Sequence, residues 1–380
     1  MKLRYRLMVL LIPVVLLTLR YPPTIADAAS PAPVSLTINS LRLSYDHRSG
    51  KLAIGPEGDP NPLILNGVNI LPDSIRIIDA QTLSFQFAHS GTEKVTGQIS
   101  AADNGGIEFT LSGTGKMQND FIFPGAINAA KDQAWVIPEN EGLLIPATDP
   151  YYTIPWEWGM PFYQGHGGFS MPFLGVTNGK SGYLLIVETG DDCMAKFKQP
   201  SWGKTSSWSL VWQSSRQEWR YPRKFLLRYV PGNGYVGIAK AYREYVKDKG
   251  LLITLQEKLK ANPNVDRLVG AVDLWFWKRA EFWEPEPDCR TVAAELKAAG
   301  IERVLWSSAA APEAVAALNA IGFLTGSYDI YQDVYSPDTP VSWVNKEGWP
   351  DALVLKSDGS YLPGWVTRDQ EKKYWNRTRY

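Results

Sequence analysis

From Val34 to Val230 the chain shows no sustained helical period, only short alternating runs cut by Gly, Asn, Asp and Pro. Leu36-Thr37-Ile38, Leu41-Arg42-Leu43, Leu83-Ser84-Phe85-Gln86-Phe87 and Val95-Thr96-Gly97-Gln98-Ile99 are such runs. Alternation gives each run one apolar and one polar face, which suits a strand with one side against a core. Ile107-Glu108-Phe109-Thr110-Leu111 follows Asn104-Gly105-Gly106, a turn that predicts a hairpin. Gly182 to Glu188 and Trp208 to Trp212 continue the pattern. Many short strands over this length predict a large β-sandwich spanning residues 34–230.

After Val230 the period changes. Tyr235, Ile238, Ala239, Tyr242, Tyr245 and Val246 recur at helical spacing, and Lys249-Gly250 supplies a basic last turn and a stop. Leu251 to Leu259 reads as a second, shorter helical segment, and Asn262-Pro263-Asn264 ends a helical linker over residues 231–264. Beyond it, Leu268 to Trp277 is a continuous apolar run, the pattern of a buried parallel strand. Helical patterns at Thr291 to Ala299 and Pro312 to Ile321 alternate with strands at Arg303 to Trp306 and Gly322 to Tyr335. A β-α-β-α-β order predicts a parallel sheet. A complete (β/α)8 barrel takes about 250 residues, so residues 265–380 have room for its first strands only, and the barrel is expected to be truncated.

Ligands of parallel sheets bind beyond the carboxyl ends of the strands. Those ends carry Asp273, Trp275 and Trp277, then Trp306, Ser307 and Ser308, then Tyr328-Asp329-Ile330-Tyr331-Gln332-Asp333. In an extended chain Asp329, Tyr331 and Asp333 share one face. Carboxylates accept hydrogen bonds from sugar hydroxyls and aromatic rings cover apolar sugar faces. The substrate-binding candidates are therefore Asp329, Asp333, Tyr331, Asp273, Trp275, Trp277 and Trp306. The competing reading makes the Asp329 and Asp333 carboxylates solvated groups or caps of the next turn. A second aromatic stretch, Ala147 to Phe173, holds Tyr151, Tyr152, Trp156, Trp158, Phe162, Tyr163, His166 and Phe169. It serves either as packing between domains or as ligand contact.

Composition closes several routes. Lys+Arg and Asp+Glu are 39 each, so no net charge draws the chain to nucleic acid or an anionic membrane. Trp 15, Tyr 18 and Phe 13 make a large aromatic content, which serves cores first and ligand faces second. The three histidines, His47, His89 and His166, have no metal-ligand spacing. Gly113-Thr114-Gly115-Lys116 lacks the first glycine of a phosphate-binding loop. No cofactor is required by the sequence; Ca²⁺ is the metal ion that oxygen-rich sites leave open, without a dedicated loop for it. Cys193 and Cys289 are either free, buried thiols or a pair, which spacing does not decide. Lys2, Arg4 and Arg6, the apolar run Leu7 to Leu19, and Ala26-Asp27-Ala28 form a secretory signal peptide over residues 1–28, so the chain is expected to be secreted or periplasmic. An uncleaved anchor is the alternative.

The order of sandwich, helical linker and Trp-rich first strand, followed by Tyr328-Asp329-Ile330-Tyr331-Gln332-Asp333 and by Trp349-Pro350-Asp351 to Val354-Leu355, resembles glycoside hydrolase family 129. More distantly it resembles family 101 of endo-α-N-acetylgalactosaminidases. The resemblance implies a mutarotase-like β-sandwich joined to a (β/α)8 barrel. It also implies retaining cleavage of α-N-acetylgalactosaminides or related α-galactosides by an Asp nucleophile and a Glu acid/base. It places a substrate-contacting carboxylate at Asp329, with Asp333 second, and the catalytic pair on later strands. Retention needs carboxyls about 5–5.5 Å apart, whereas Asp329 and Asp333 would be roughly 13 Å apart on one extended strand. The expectation is thus the N-terminal portion of a glycosidase, inactive alone. The alternatives are a non-catalytic carbohydrate-binding sandwich and a surface-interaction sandwich without sugar affinity.

Overall fold

The computed structural model describes residues 33–87, 94–103, 105–139, 141–152, 158–159, 168–214, 217–275, 289–307, 312–326, 333–339, 346–353, 359–361 and 376–378. The signal-peptide segment lies outside them, as does most of the aromatic stretch after Tyr152. Eighteen strands precede the first α-helix among these residues. They begin with β1 (Val34–Ile38), β2 (Leu41–Asp46), β3 (Lys51–Pro56), β4 (Leu63–Asn66), β5 (Arg76–Asp79) and β6 (Thr82–Gln86). Next come β7 (Lys94–Ala101), β8 (Ile107–Thr114), β9 (Phe121–Ile122), β10 (Ala126–Asn128), β11 (Ala134–Ile137) and β12 (Leu143–Pro146). The series ends with β13 (Trp158–Gly159), β14 (Phe173–Thr177), β15 (Gly182–Val187), β16 (Cys193–Lys198), β17 (Ser207–Trp212) and β18 (Arg223–Val230).

These strands form two antiparallel sheets. One runs β1-β2-β3-β4-β10-β17-β16-β13, with β9 also on β17; the other runs β12-β11-β14-β15-β18-β8-β7-β6-β5. The alternation read from sequence sets the faces. Leu41, Leu43 and Tyr45 of β2 point inward, as do Ile107, Phe109 and Leu111 of β8. The two inner faces share one core, and aromatic rings knit it. Trp135 meets Trp208 edge to face with centroids 6.5 Å apart, and Phe109 stacks on Phe225 at 4.4 Å. The predicted hairpin pairs β7 with β8 from Ala101↔Ile107 outward.

Strand β15 is buried along its whole length, unlike the alternating strands, because both its faces are covered. Tyr183, Leu185 and Val187 enter the sandwich core, while Leu184 and Ile186 face α1 (Gly234–Asp248). Ile238 of α1 packs over Gly175 and Gly182. A Cβ on Gly182 would lie 2.4 Å from the Val176 carbonyl oxygen, so no larger residue fits without moving backbone. α2 (Leu255–Ala261) starts at Thr254, whose side chain caps the Glu257 amide while Glu257 bonds back to the Thr254 amide.

The chain then forms α3 (Val265–Leu268), β19 (Val272–Leu274), α4 (Cys289–Ala298), β20 (Val304–Trp306), α5 (Pro312–Ala320) and β21 (Leu324–Thr325). β19, β20 and β21 are parallel and adjacent in that order. Their core is a separate cluster, with Ala293 of α4 and Leu318 of α5 over Val304, Trp306 and Phe323. Two expectations need correction. The apolar run Leu268 to Trp277 is not one buried strand. Its front is helical, Gly270 turns at φ +73°, and Arg303 donates to the Asp266 and Val269 carbonyls at 2.6 and 3.0 Å, which holds this segment in a turn. β19 is exposed because it pairs with β20 alone among the described strands. The run Gly322 to Tyr335 is divided as well. β21 ends at Thr325, and Asp333 opens β22 (Asp333–Tyr335), which pairs antiparallel with β23 (Asn376–Thr378) in a ribbon of its own. No helix among the described residues is long and apolar enough to cross a membrane.

Two polar clusters bind the layers. Asp192, in the turn before β16, accepts from Arg223 Nη2 at 2.7 Å, and Arg223 begins β18, so the pair spans the two sheets. Both side chains are almost fully buried, and the guanidinium lies 4.5 and 4.8 Å from the Trp219 and Tyr221 ring centroids. On the outer face of the second sheet, Lys224 bonds Glu108 at 2.8 Å. Beside them Glu188 accepts from Tyr245 of α1 and from Lys249, just past its end, at 3.0 and 3.1 Å. Both cysteines are free and buried, and burial pushes the Cys193 thiol up.

Breaking a buried ion pair strands a charge in a low-dielectric core, at a cost of about 3–5 kcal/mol. Asp192→Ala will lower the urea midpoint accordingly, and the double replacement Asp192→Leu/Arg223→Met, which removes both charges, will recover most of the loss. Burial pushes the Glu108 carboxyl up, but the Lys224 and Thr110 hydrogen bonds and the Lys224 charge outweigh it and hold it below its usual value. A depressed folded pKa stabilises above the unfolded value and is lost as pH falls through the folded one. Lys224→Met will therefore flatten the fall in unfolding free energy between pH 7 and pH 3, by less than about 1 kcal/mol because the pair is partly solvated.

Candidate functional site

The carboxyl ends of β19, β20 and β21 lie side by side, since Leu274 pairs with Trp306 and Trp306 with Thr325. Two backbone bonds extend the alignment past the strands: Ser307 N donates to Leu274 O and Gly326 N to Trp306 O, both at 2.9 Å. Residues just beyond the ends are thereby fixed relative to one another before any side chain acts.

Asp273 is the centre of this edge. Ser307 Oγ donates to its Oδ1 at 2.5 Å, and Trp275 Nε1 donates to its Oδ2 at 2.7 Å. Alternation along the extended chain puts Asp273 and Trp275 on one side, which makes the second bond possible. Each carboxylate oxygen keeps a further lone pair, so Asp273 can accept from two more hydroxyls. The Ser307 oxygen, having given its proton to Asp273, can accept as well. Trp275 is 43% exposed, and its indole bond to Asp273 holds the ring in place. The result is a notch with oriented acceptors beside an apolar ring, suited to a polyol. Thr325, at the third strand end, donates to Asn319 at 3.2 Å. Among the described residues no group of three or more His, Cys, Asp and Glu side chains is placed to hold a metal ion.

The structure thus brings together Asp273, Trp275 and Ser307. It does not bring Trp306 into the notch: that ring is 1% exposed, roofed by α4 and α5 within the core of the parallel sheet. A tryptophan inside a short strand under two helices serves packing, which corrects its assignment as a sugar-facing ring. Trp277, Asp329 and Tyr331 lie outside the described residues, and of Asp333 only the backbone, in β22, is described. Thr325 was missed because Gly322 to Tyr335 reads as one strand; Gly326 is the signal that could have ended it earlier.

No protein-family model and no curated protein matches the sequence. Solved structures do match. The α-N-acetylgalactosaminidase NagBb from Bifidobacterium bifidum, in complex with GalNAc, aligns at TM-score 0.65 and 17% identity, over 91% of this chain and 65% of that one. Its ligand-free form aligns at 0.65 and 18%, over 91% and 65%, and its Gal-NHAc-DNJ complex at 0.64 and 17%, over 91% and 64%. This chain therefore spans 65% of the length of the glycosidase whose fold it shares. At such identity the likeness is one of fold: a β-rich architecture of antiparallel sheets related to that of an α-N-acetylgalactosaminidase.

Proposed function

We propose that this chain is part of a secreted, retaining glycoside hydrolase of the family 129 type, acting on α-N-acetylgalactosaminides or related α-galactosides. In this reading residues 34–230 are the mutarotase-like sandwich, 231–264 the helical linker and 265–380 the first strands of a (β/α)8 barrel. The observation that carries it is the fold shared over 91% of the chain with an α-N-acetylgalactosaminidase. Asp273 adds the chemistry. A carboxylate oriented by two donors at the end of the first parallel strand accepts from sugar hydroxyls, while Trp275 covers an apolar sugar face. Asp329, Tyr331 and Asp333 extend the same binding surface in this proposal.

The chain's strand-end acids bind rather than cleave. Asp273 is committed to two hydrogen bonds, which fix it as an oriented acceptor. Calorimetric titration of the 380-residue protein with methyl N-acetyl-α-galactosaminide tests this. Binding is expected, weakened about tenfold, roughly the 1.4 kcal/mol of one lost good hydrogen bond, in Asp273→Asn and in Trp275→Ala. No turnover of 4-nitrophenyl N-acetyl-α-galactosaminide is expected. Hydrolysis by this chain would refute the binding-only assignment. Unchanged affinity in both variants would refute the Asp273 notch.

A further inference from the structure

Two aromatic rings stand almost free of the sandwich. Tyr151 is 80% exposed and Trp202 79%, yet they are neighbours, with centroids 6.2 Å apart and planes at 88°. Tyr151 lies in the loop after β12, and Trp202 lies at the tip of the β16–β17 hairpin. We propose that this pair is a glycan-binding platform on the sandwich, carried by these two loops and not by the parallel sheet. The proposal rests on the carbohydrate reading above and adds a second place of contact.

The loops are not loose ends. Ser206 N and Ser206 Oγ both donate to Ala147 O, at 2.7 and 2.9 Å, and Trp135 Nε1 donates to Ser206 Oγ at 2.8 Å from within the core. The Gln199 side-chain amide donates to Pro150 O, one residue before Tyr151. Asp149 Oδ1 accepts from the Tyr151 and Tyr152 amides at 2.8 and 3.3 Å and turns the Tyr151 ring outward. Lys204 N closes a turn onto Ser201 O at 2.9 Å, with Gly203 at φ +72°, and this puts Trp202 at the tip. Three hydrogen bonds between the loops, with a fourth from Trp135 anchoring Ser206 to the core, hold the two rings in fixed relation. A rigid, solvent-facing pair loses little entropy when it is covered.

The surroundings select the occupant. Gln199, Ser201 and Lys204 around Trp202 are exposed and polar, so among the described residues of these two loops the exposed apolar area is limited to the two rings. A protein partner needs about 800 Å² per side, far more than two rings give. A pyranose needs one ring under its C–H face and donors at its hydroxyl rim. The perpendicular rings give a corner with two such faces. Gln199, with its second N–H and Oε1 outside its bond to Pro150, and Lys204, two residues after Trp202, are the polar groups of these loops that would serve rim hydroxyls.

Retention of the 380-residue protein on immobilised desialylated mucin glycopeptides tests the platform, with Asp273→Asn as the background so that the strand-end notch is disabled. Asp273→Asn protein is expected to remain retained. Adding Trp202→Ala or Tyr151→Ala should lower affinity about tenfold each, in line with the loss of a ring contact. Thermal midpoints should not move, because both rings are solvent-facing. Loss of all retention in Asp273→Asn alone, equal retention with and without Trp202 and Tyr151, or no retention of the wild type would each overturn the platform. So would concentration-dependent dimers, seen by sedimentation, that Trp202→Ala abolishes, since a second copy would then be the occupant. Trp202→Ala protein titrated with methyl N-acetyl-α-galactosaminide reports on the notch by itself, so failure of one site is distinguishable from failure of the other.

Discussion

Strand β15, with β18 beside it, must bury both faces, and the cover it needs fixes where α1 sits on the sandwich. One face, with Leu185 and Phe225, closes the sandwich core; the other, with Leu184 and Leu226, has to be covered from outside. An antiparallel sheet can leave one face to water, but a strand that is apolar on both sides cannot. Helix α1 supplies the cover through Ile238 and Ala241, and Tyr245 and the following Lys249 bond Glu188, just past β15. The glycines at 175 and 182 are the cost of that close approach, since a methyl group there would meet Ile238 or backbone. The chain leaving α1 therefore starts from a fixed position on the sandwich.

The strand-end notch depends on a different kind of order. Its side chains are held by the parallel register, which aligns Leu274, Trp306 and Thr325, and by backbone bonds one residue beyond. Asp273 gains its orientation from Ser307, thirty-four positions later, so the site exists only once β19 and β20 have paired. Arg303 reinforces that pairing from below by holding the turn before β19. Packing under α4 and α5 and polar contact at the strand ends thus stabilise the same sheet from opposite sides.

What the sequence made legible was periodicity. The alternating runs before Val230 became the strands of two antiparallel sheets, and the change to a helical period became α1. Asp273 and Trp275 were legible too, because residues two apart on an extended chain share a face. Strand ends were not. Leu268 to Trp277 is apolar enough to read as one strand, but its conformation was decided by Arg303, a residue with no local signal. Gly322 to Tyr335 misled in the same way: β21 and β22 belong to different sheets, and a single sequence does not say which partner a strand will find. The inter-sheet pair Asp192–Arg223 was invisible for the same reason, since nothing nearby in sequence marks either residue as buried.

The aromatic content shows most directly how structure changes a functional argument. Fifteen tryptophans invite a sugar-binding reading, yet composition cannot separate rings that hold a core from rings that meet a ligand. Trp135, Trp208, Trp212 and Trp306 are all fully buried, and each is accounted for by packing between layers. Trp275 and Trp202 differ from them. Each is exposed to solvent, each is held by hydrogen bonds of its own or of its loop, and each has polar groups beside it. Fixed orientation, an open face and adjacent donors or acceptors are what stacking on a pyranose requires. The ring chemistry that supports the proposed carbohydrate reading beside the shared fold thus comes from these two exposed rings and Asp273, and not from the tryptophan count.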